Sequence, residues 1–356
     1  MKIRGQEVLL PTTLVGAYTR PIWFTEKVFT PGVDAPEFPS YRIRELYQQA
    51  VALAVKDMED AGLDIVTDGA QYYEHETNYE YAELFHYMAH RFAGYRPYGE
   101  RIVVGAFDLP IYKPTVVGPV RWERPAFKPV LEAVQRVTNK PIKINCSLGP
   151  ATLAALSTDR HYNDIKALAM DVARAYNEEF KDLTRRGIDM IQVTEPLTFF
   201  EPADWILEAI NTAFDGVEAY KVVHICYGHE EGQHGILELK ARQLCPWIYD
   251  LNVDQIHMEH ASHNFEEIDK LKDFPKDKTL AIGVINIKNQ VVESPEQISA
   301  WIRKTMQYVP PEQLCISTDC AIASFRRVVS FRKLQALVEG TKIVRAELEG
   351  KKTEAA

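Results

Sequence analysis

Three things are scarce in this 356-residue chain, and each scarcity excludes a class of protein. Cationic charge is in deficit: 41 Lys and Arg stand against 50 Asp and Glu, a formal net charge of −9, and no basic run or basic–aromatic stripe offsets it. A surface that gathers nucleic-acid phosphates needs a Lys/Arg excess on some face, so nucleic acid is not an expected partner. Long apolar runs are missing too. Nothing approaches the roughly 18 uninterrupted apolar residues that span a bilayer, so no membrane partner is expected. The opening residues Met1 to Gln6 are polar and charged, unlike a secretory leader, and the expected location is the cytoplasm. Cysteine is the third: Cys146, Cys226, Cys245, Cys315 and Cys320 make an odd set in a long chain, which argues for reduced thiols over a disulfide framework.

What is present is a globular balance, 46% hydrophobic and 26% charged, enough for one large α/β barrel or two smaller domains. Short β-branched runs at residues 12–15, 64–67, 142–145, 190–193, 221–225, 255–258, 280–284 and 314–317 read as strands. Most are apolar almost throughout, as strands covered on both faces of a parallel sheet are. Amphipathic stretches of helical period lie between them, at 41–61, 164–186, 203–214, 295–309 and 324–349. Eight strands, each followed by helical sequence, predict a single (β/α)₈ TIM barrel over residues 1–356. Residues 97–125 break the alternation: they read as extended sequence with turns, a β-hairpin insertion between the second and third strands that could serve as a lid or as a contact between two copies of the chain. The Pro- and Phe-rich stretch 20–39 reads as a long rim loop, and the polar tail 349–356 as frayed.

The chemistry-bearing residues fall at strand ends. The run Val222-Val-His-Ile-Cys226 closes a strand in His-x-Cys, and alternation puts His224 and Cys226 on one face. The next strand ends in Gln255-Ile-His-Met-Glu259, and the eighth in Ser317-Thr-Asp-Cys320. One imidazole, two thiols and a carboxylate thus map to the end of the barrel at which such folds place their chemistry. Mixed N, S and O donors suit tetrahedral Zn²⁺ better than Mg²⁺ or Ca²⁺. The competing reading is a set of buried cysteines and a packed histidine that bind nothing, since cysteine is among the most buried residue types. Spacing alone leaves both open.

Ordered along the chain, these residues resemble the C-terminal zinc barrel of the cobalamin-independent methionine synthase superfamily. Leu10-Pro-Thr-Thr-Leu-Val-Gly16 resembles its opening strand and turn, Asp64-Ile-Val-Thr-Asp-Gly69 its second strand end, and Leu148-Gly-Pro-Ala-Thr152 the turn after its third. Ile191-Gln-Val-Thr-Glu-Pro196 resembles the fourth, and Gly283-Val-Ile-Asn-Ile-Lys288 the seventh. The resemblance implies that His224, Cys226, Glu259 and Cys320 are the ligands of a zinc cofactor. It also implies alkyl transfer to a small thiol whose sulfur the metal activates, with a small electrophile as the second substrate.

Departures from the pattern bear on the thiol. The family supplies carboxylates for the ammonium of homocysteine, where this chain has Ala70-Gln71 after the second strand's glycine and Thr194 before Glu195-Pro196. A Trp expected soon after the Gly-Pro turn, as a platform for folate, is replaced by Leu153-Ala-Ala-Leu. These departures are similar to those expected of the superfamily's epoxyalkane:coenzyme M transferase branch (2-hydroxypropyl-CoM lyase), in which an amine-free anionic thiol opens a small epoxide. On that reading Arg20 and Lys288 are candidates for the sulfonate, Thr194 and Glu195 line the substrate site, and Lys288, His75 and Tyr72 are candidate acids, with Tyr73 beside them. The alternatives are a methionine-synthase-like methyltransferase with a folate or corrinoid donor, in which Glu74, Glu76 or Glu195 takes the amine, a uroporphyrinogen-decarboxylase-like (UROD-like) barrel without zinc chemistry, and a non-catalytic zinc-binding barrel. His257 shares a face with Glu259 and reads as a neighbour of the ligands, not as a fifth ligand.

Overall fold

In six of the eight apolar runs, side chains alternate between the helices outside and a filled interior, and these pair as one parallel sheet. The computed structural model describes residues 1–24, 41–72, 87–96, 99–104, 109–196, 202–227 and 244–354. In chain order the paired strands are Lys143–Leu148, Met190–Thr194, Tyr220–Ile225, Gln255–Met258, Thr279–Ile285 and Leu314–Thr318, each parallel to the next. They are the third to eighth strands of the barrel.

The first two positions are single parallel bridges, Thr12 with Ile316 and Val66 with Ile142. Backbone bonds complete the ring: Thr13 N donates to Ile316 O, Ile65 N to Thr12 O, and Lys143 N to Val66 O. Pro11 donates no hydrogen bond and Gly69 turns the chain at φ 68°, which keeps these two runs short. The predicted (β/α)₈ architecture therefore closes, with its first two strands reduced to bridges.

The end at which the strands begin is stoppered by a small antiparallel ribbon, Lys2–Ile3 with Gln6–Glu7. Met1 and Ile3 pack there against Ile65, Met190, Val222, Ala281 and Cys315. Outside the ring lie the helices Tyr41–Ala61, Lys128–Gln135, Pro150–Leu156, Ile165–Arg185, Asp204–Ala213, Pro295–Thr305 and Arg327–Glu354. Local chemistry sets their starts. Asp164 accepts from Lys166 N and Ala167 N, and Ser294 accepts from Gln297 N just before a proline at the first helical turn. None of the described helices is long and apolar enough to cross a membrane.

Three expectations change. Between the sixth and seventh strands the chain makes two 3₁₀ segments, Ala261–His263 and Ile268–Asp273, where the reading of eight strand–helix units has an α-helix. Asn264 at φ 52° and Phe265 at φ 58° break any longer helix there. The last helix runs to Glu354, past residue 349, because 351–354 hold no glycine or proline to stop it; 355–356 lie outside the described residues. The excursion after the second strand is also larger than a hairpin. Arg101–Val104 and Leu109–Tyr112 do form an antiparallel pair, but Phe92–Arg96 pairs with Thr115–Trp122, which in turn pairs in parallel with Thr158–Asp159. The buried carboxylate of Glu179 ties this unit to the barrel by accepting from Trp122 Nε1, Ala126 N and Phe127 N.

The rim loop after the seventh strand is held by a buried ion pair. Lys333, fully buried on the last helix, donates to both Glu293 oxygens at 3.2 and 3.1 Å and to the carbonyls of Asn286 and Val291. Glu293 also accepts from Asn286 N. Removing one partner of such a pair leaves a buried charge uncompensated, so Lys333→Met is expected to lower the unfolding free energy by roughly 3–5 kcal/mol. The double variant Lys333→Met/Glu293→Gln should recover much of the loss in a urea titration, and additive losses would contradict the pairing.

Candidate metal centre

Strand register brings the donors to one level. His224 and His257 are opposite each other across the fifth and sixth strands. Alternation then carries Cys226 and Glu259, two residues on, to the same rim. Cys320 follows two residues after the eighth strand ends at Thr318. One donor atom from each of His224, Cys226, Glu259 and Cys320 lies within 4.8 Å of all the others. His224 Nε2 is 3.3 Å from Cys320 Sγ and 3.9 Å from Glu259 Oε1, and the two sulfurs are 3.7 Å apart. His224 and Glu259 are buried, while both cysteines are half-buried.

The surroundings hold these groups in place. Tyr227 N donates to Glu259 Oε1 at 2.7 Å. Asp319 accepts from His260 N, Ala261 N and Ser262 N, clamping the loop that follows Glu259. That carboxylate sits where a side chain on Gly283 would go: a Cβ there would meet Asp319 Oδ1 at 2.1 Å, so the seventh strand needs glycine at this point. His257 stands behind His224, with the two Nδ1 atoms 2.6 Å apart, and is not among the four converging donors.

Without a cation the cluster holds protons. The sulfur–sulfur hydrogen bond pulls Cys226 down to about 6 and pushes Cys320 well above the usual thiol range. Burial, and then the charge of Asp319, pushes the Glu259 carboxyl well above its ordinary value against the Tyr227 hydrogen bond. Burial, and then His224, holds His257 well below an ordinary histidine. The other three thiols are different. Burial raises Cys146, and it pushes Cys245 and Cys315 up to about 11, consistent with inert packing. Two sulfurs, an imidazole nitrogen and a carboxylate oxygen this close fit one tetrahedral cation of the zinc type.

The remaining predicted site residues divide. Lys288 Nζ reaches Ser262 O at 3.2 Å, and its charge is felt by Glu259, so it belongs to the rim of this centre. Arg20 is not a solvated rim cation: it is buried, and Nη2 donates to the carbonyls of Ala70 and Gln71, bridging the first two rim loops beside Phe24. Thr194 donates to Asn145 Oδ1. Glu195 accepts from Thr152 N and Thr152 Oγ1 at the start of helix Pro150–Leu156, in a space that only glycine at position 149 leaves, since a Cβ there would meet Glu195 Oε2 at 2.2 Å. Tyr72 corrects a reading. As a candidate acid it belongs beside the donors, but it is buried in the core with its ring 5.0 Å from that of Tyr47, and burial raises its phenol. His75, Tyr73, Glu74, Glu76 and His229 lie outside the described residues. Sequence reasoning missed Asn145 and the backbone donor of Tyr227; a main-chain group leaves no side-chain signal.

Comparison with known proteins places this geometry in context. Residues 10–343 match the family model described as cobalamin-independent synthase, catalytic domain. The chain is 33% identical over 346 residues to a methionine synthase of Saccharolobus solfataricus, covering 96% of this chain and 97% of that one. It is 32% identical over 383 residues to the 2-hydroxypropyl-CoM lyase of Xanthobacter autotrophicus, covering 98% of each. Among solved structures it is similar to a B12-independent methionine synthase from Shewanella sp. W3-18-1 in complex with selenomethionine, with a TM-score of 0.79, 28% identity, and coverage of 96% of this chain and 100% of that one.

A metal titration tests the donor set. A cation needs Cys320 and Glu259 as anions, and in the metal-free protein both are shifted toward their protonated forms, Cys320 chiefly by the hydrogen bond with Cys226 and Glu259 chiefly by burial. Adding Zn²⁺ near pH 7 should therefore release protons, and affinity should weaken as pH falls. Calorimetry in buffers of different ionisation enthalpy reads this directly. Binding that releases no proton would contradict the assignment.

Proposed function

The chain belongs to the family of cobalamin-independent synthase catalytic domains, and from that premise we propose that it is a zinc enzyme that alkylates a small, amine-free, anionic thiol of the coenzyme M class. The electrophile proposed is a small epoxide, and the product a 2-hydroxyalkyl thioether. Zinc, held by His224, Cys226, Glu259 and Cys320, would lower the pKa of the substrate thiol so that a thiolate exists at neutral pH.

The chain's own residues supply the rest. As the new S–C bond forms at the less hindered epoxide carbon, the C–O bond breaks and its electron pair stays on oxygen. Lys288, whose Nζ donates to the Ser262 carbonyl, is the proposed donor of a proton to that oxygen. The same ammonium puts positive charge on the rim, where a sulfonate would be attracted.

The observation that carries the choice of thiol is the absence of carboxylates at two positions. Ala70 and Thr194 stand where the family's ammonium-binding acids are expected. Thr194 spends its hydroxyl on Asn145, and the neighbouring Glu195 is engaged by Thr152. An ammonium that loses charged hydrogen bonds in a partly dry pocket forfeits about 1.5–3 kcal/mol for each. The relative named 2-hydroxypropyl-CoM lyase supports the same reading along the whole chain. A second reading, methyl transfer to homocysteine, is supported by equal similarity to a methionine synthase.

Thiol titration of the zinc-loaded protein separates the two. Coenzyme M should bind at least about tenfold more tightly than homocysteine, with a proton released on binding. The double variant Ala70→Glu/Thr194→Asp should reverse the order. Tighter binding of homocysteine by the parent protein would overturn the coenzyme M assignment in favour of the methyltransferase.

A further inference from the structure

His257 and His224 face each other across adjacent parallel strands, their Nδ1 atoms 2.6 Å apart, so one hydrogen lies between them. Its owner follows from the far side of the second ring. His257 Nε2 is 2.9 Å from the carbonyl oxygen of Thr318. A carbonyl oxygen only accepts, so His257 carries a hydrogen on Nε2. A neutral imidazole carries a single ring hydrogen, and on His257 that hydrogen is the one on Nε2. Its Nδ1 is then a bare lone pair and accepts from the Nδ1–H of His224. That leaves His224 Nε2 as the bare nitrogen, and Nε2 is the atom facing Cys320 Sγ and Glu259 Oε1.

We propose that His257 is a positioning residue: anchored on the Thr318 carbonyl, it holds His224 in the single tautomer whose Nε2 lone pair points into the donor cluster. The anchor is itself fixed. Thr318 Oγ1 accepts from Val15 N on the first strand and donates to the Cys320 carbonyl. The strand end that delivers Cys320 therefore also sets the imidazole's orientation, so two of the four donors are tied together before any ion arrives. This inference rests on the zinc reading of the four donors and adds a residue to it.

Two measurements test it. In metal-free protein carrying ¹⁵N-labelled histidine, His224 should show hydrogen on Nδ1 and a bare Nε2, and His257 the reverse; the opposite tautomer at either ring overturns the relay. In chelator competition, His257→Leu, which removes the acceptor, should weaken zinc binding about 10- to 100-fold. His257→Gln, whose amide oxygen can accept, should recover most of that loss. Unchanged zinc affinity in a folded His257→Leu protein overturns the proposal. Should that variant fail to fold, the glutamine variant and the tautomers still decide. Failure of the parent protein to bind zinc would sink the zinc reading alone, because the tautomer measurement needs no metal.

Discussion

Four groups with lone pairs are crowded within 4.8 Å of one another on a half-buried rim, and only a cation or a set of shared protons relieves their mutual repulsion. The rest of the molecule is arranged around that constraint. Parallel register delivers the donors at one height from three different strand ends, at the face of the barrel where strands finish. Met1 and Ile3 pack across the other end, against Ile65, Met190, Val222, Ala281 and Cys315.

Convergence would mean little if the donors could relax apart. Asp319 removes that freedom on one side by binding three successive backbone N–H groups after Glu259, and it needs the space left by Gly283. Tyr227 N restrains Glu259 itself, and the Lys333–Glu293 pair holds the loop that carries Lys288. These contacts involve residues distant in sequence. They make the rim a preorganised surface, with the ordering of the groups met during folding and not during binding.

How much of this was legible in the sequence depends on the range of the interaction involved. The donor set was readable because a strand's period of two puts His224 with Cys226, and His257 with Glu259, on shared faces. The order of short motifs around the ring then identified the family. What could not be read depends on close approach in three dimensions. Arg20 looked like a rim charge, yet its guanidinium is buried on two carbonyls. Glu195 looked free for substrate, but its carboxylate sits on a helix start because glycine at 149 lets it come near. Tyr72 follows a strand end, as the candidate acids do, but the turn at Gly69 and Ala70 directs its ring into the core beside Tyr47. The shortness of the first two strands and the 3₁₀ path after Glu259 follow from single left-handed or proline positions, which periodicity averages away.

The central claim is that one ion is gripped by two sulfurs, one nitrogen and one oxygen. X-ray absorption at the zinc edge of the loaded protein reads that set directly. The account predicts one zinc per chain with two sulfur scatterers at about 2.3 Å and two lighter ones at about 2.0–2.2 Å. A shell of oxygen and nitrogen alone, or zinc that remains substoichiometric, would contradict it.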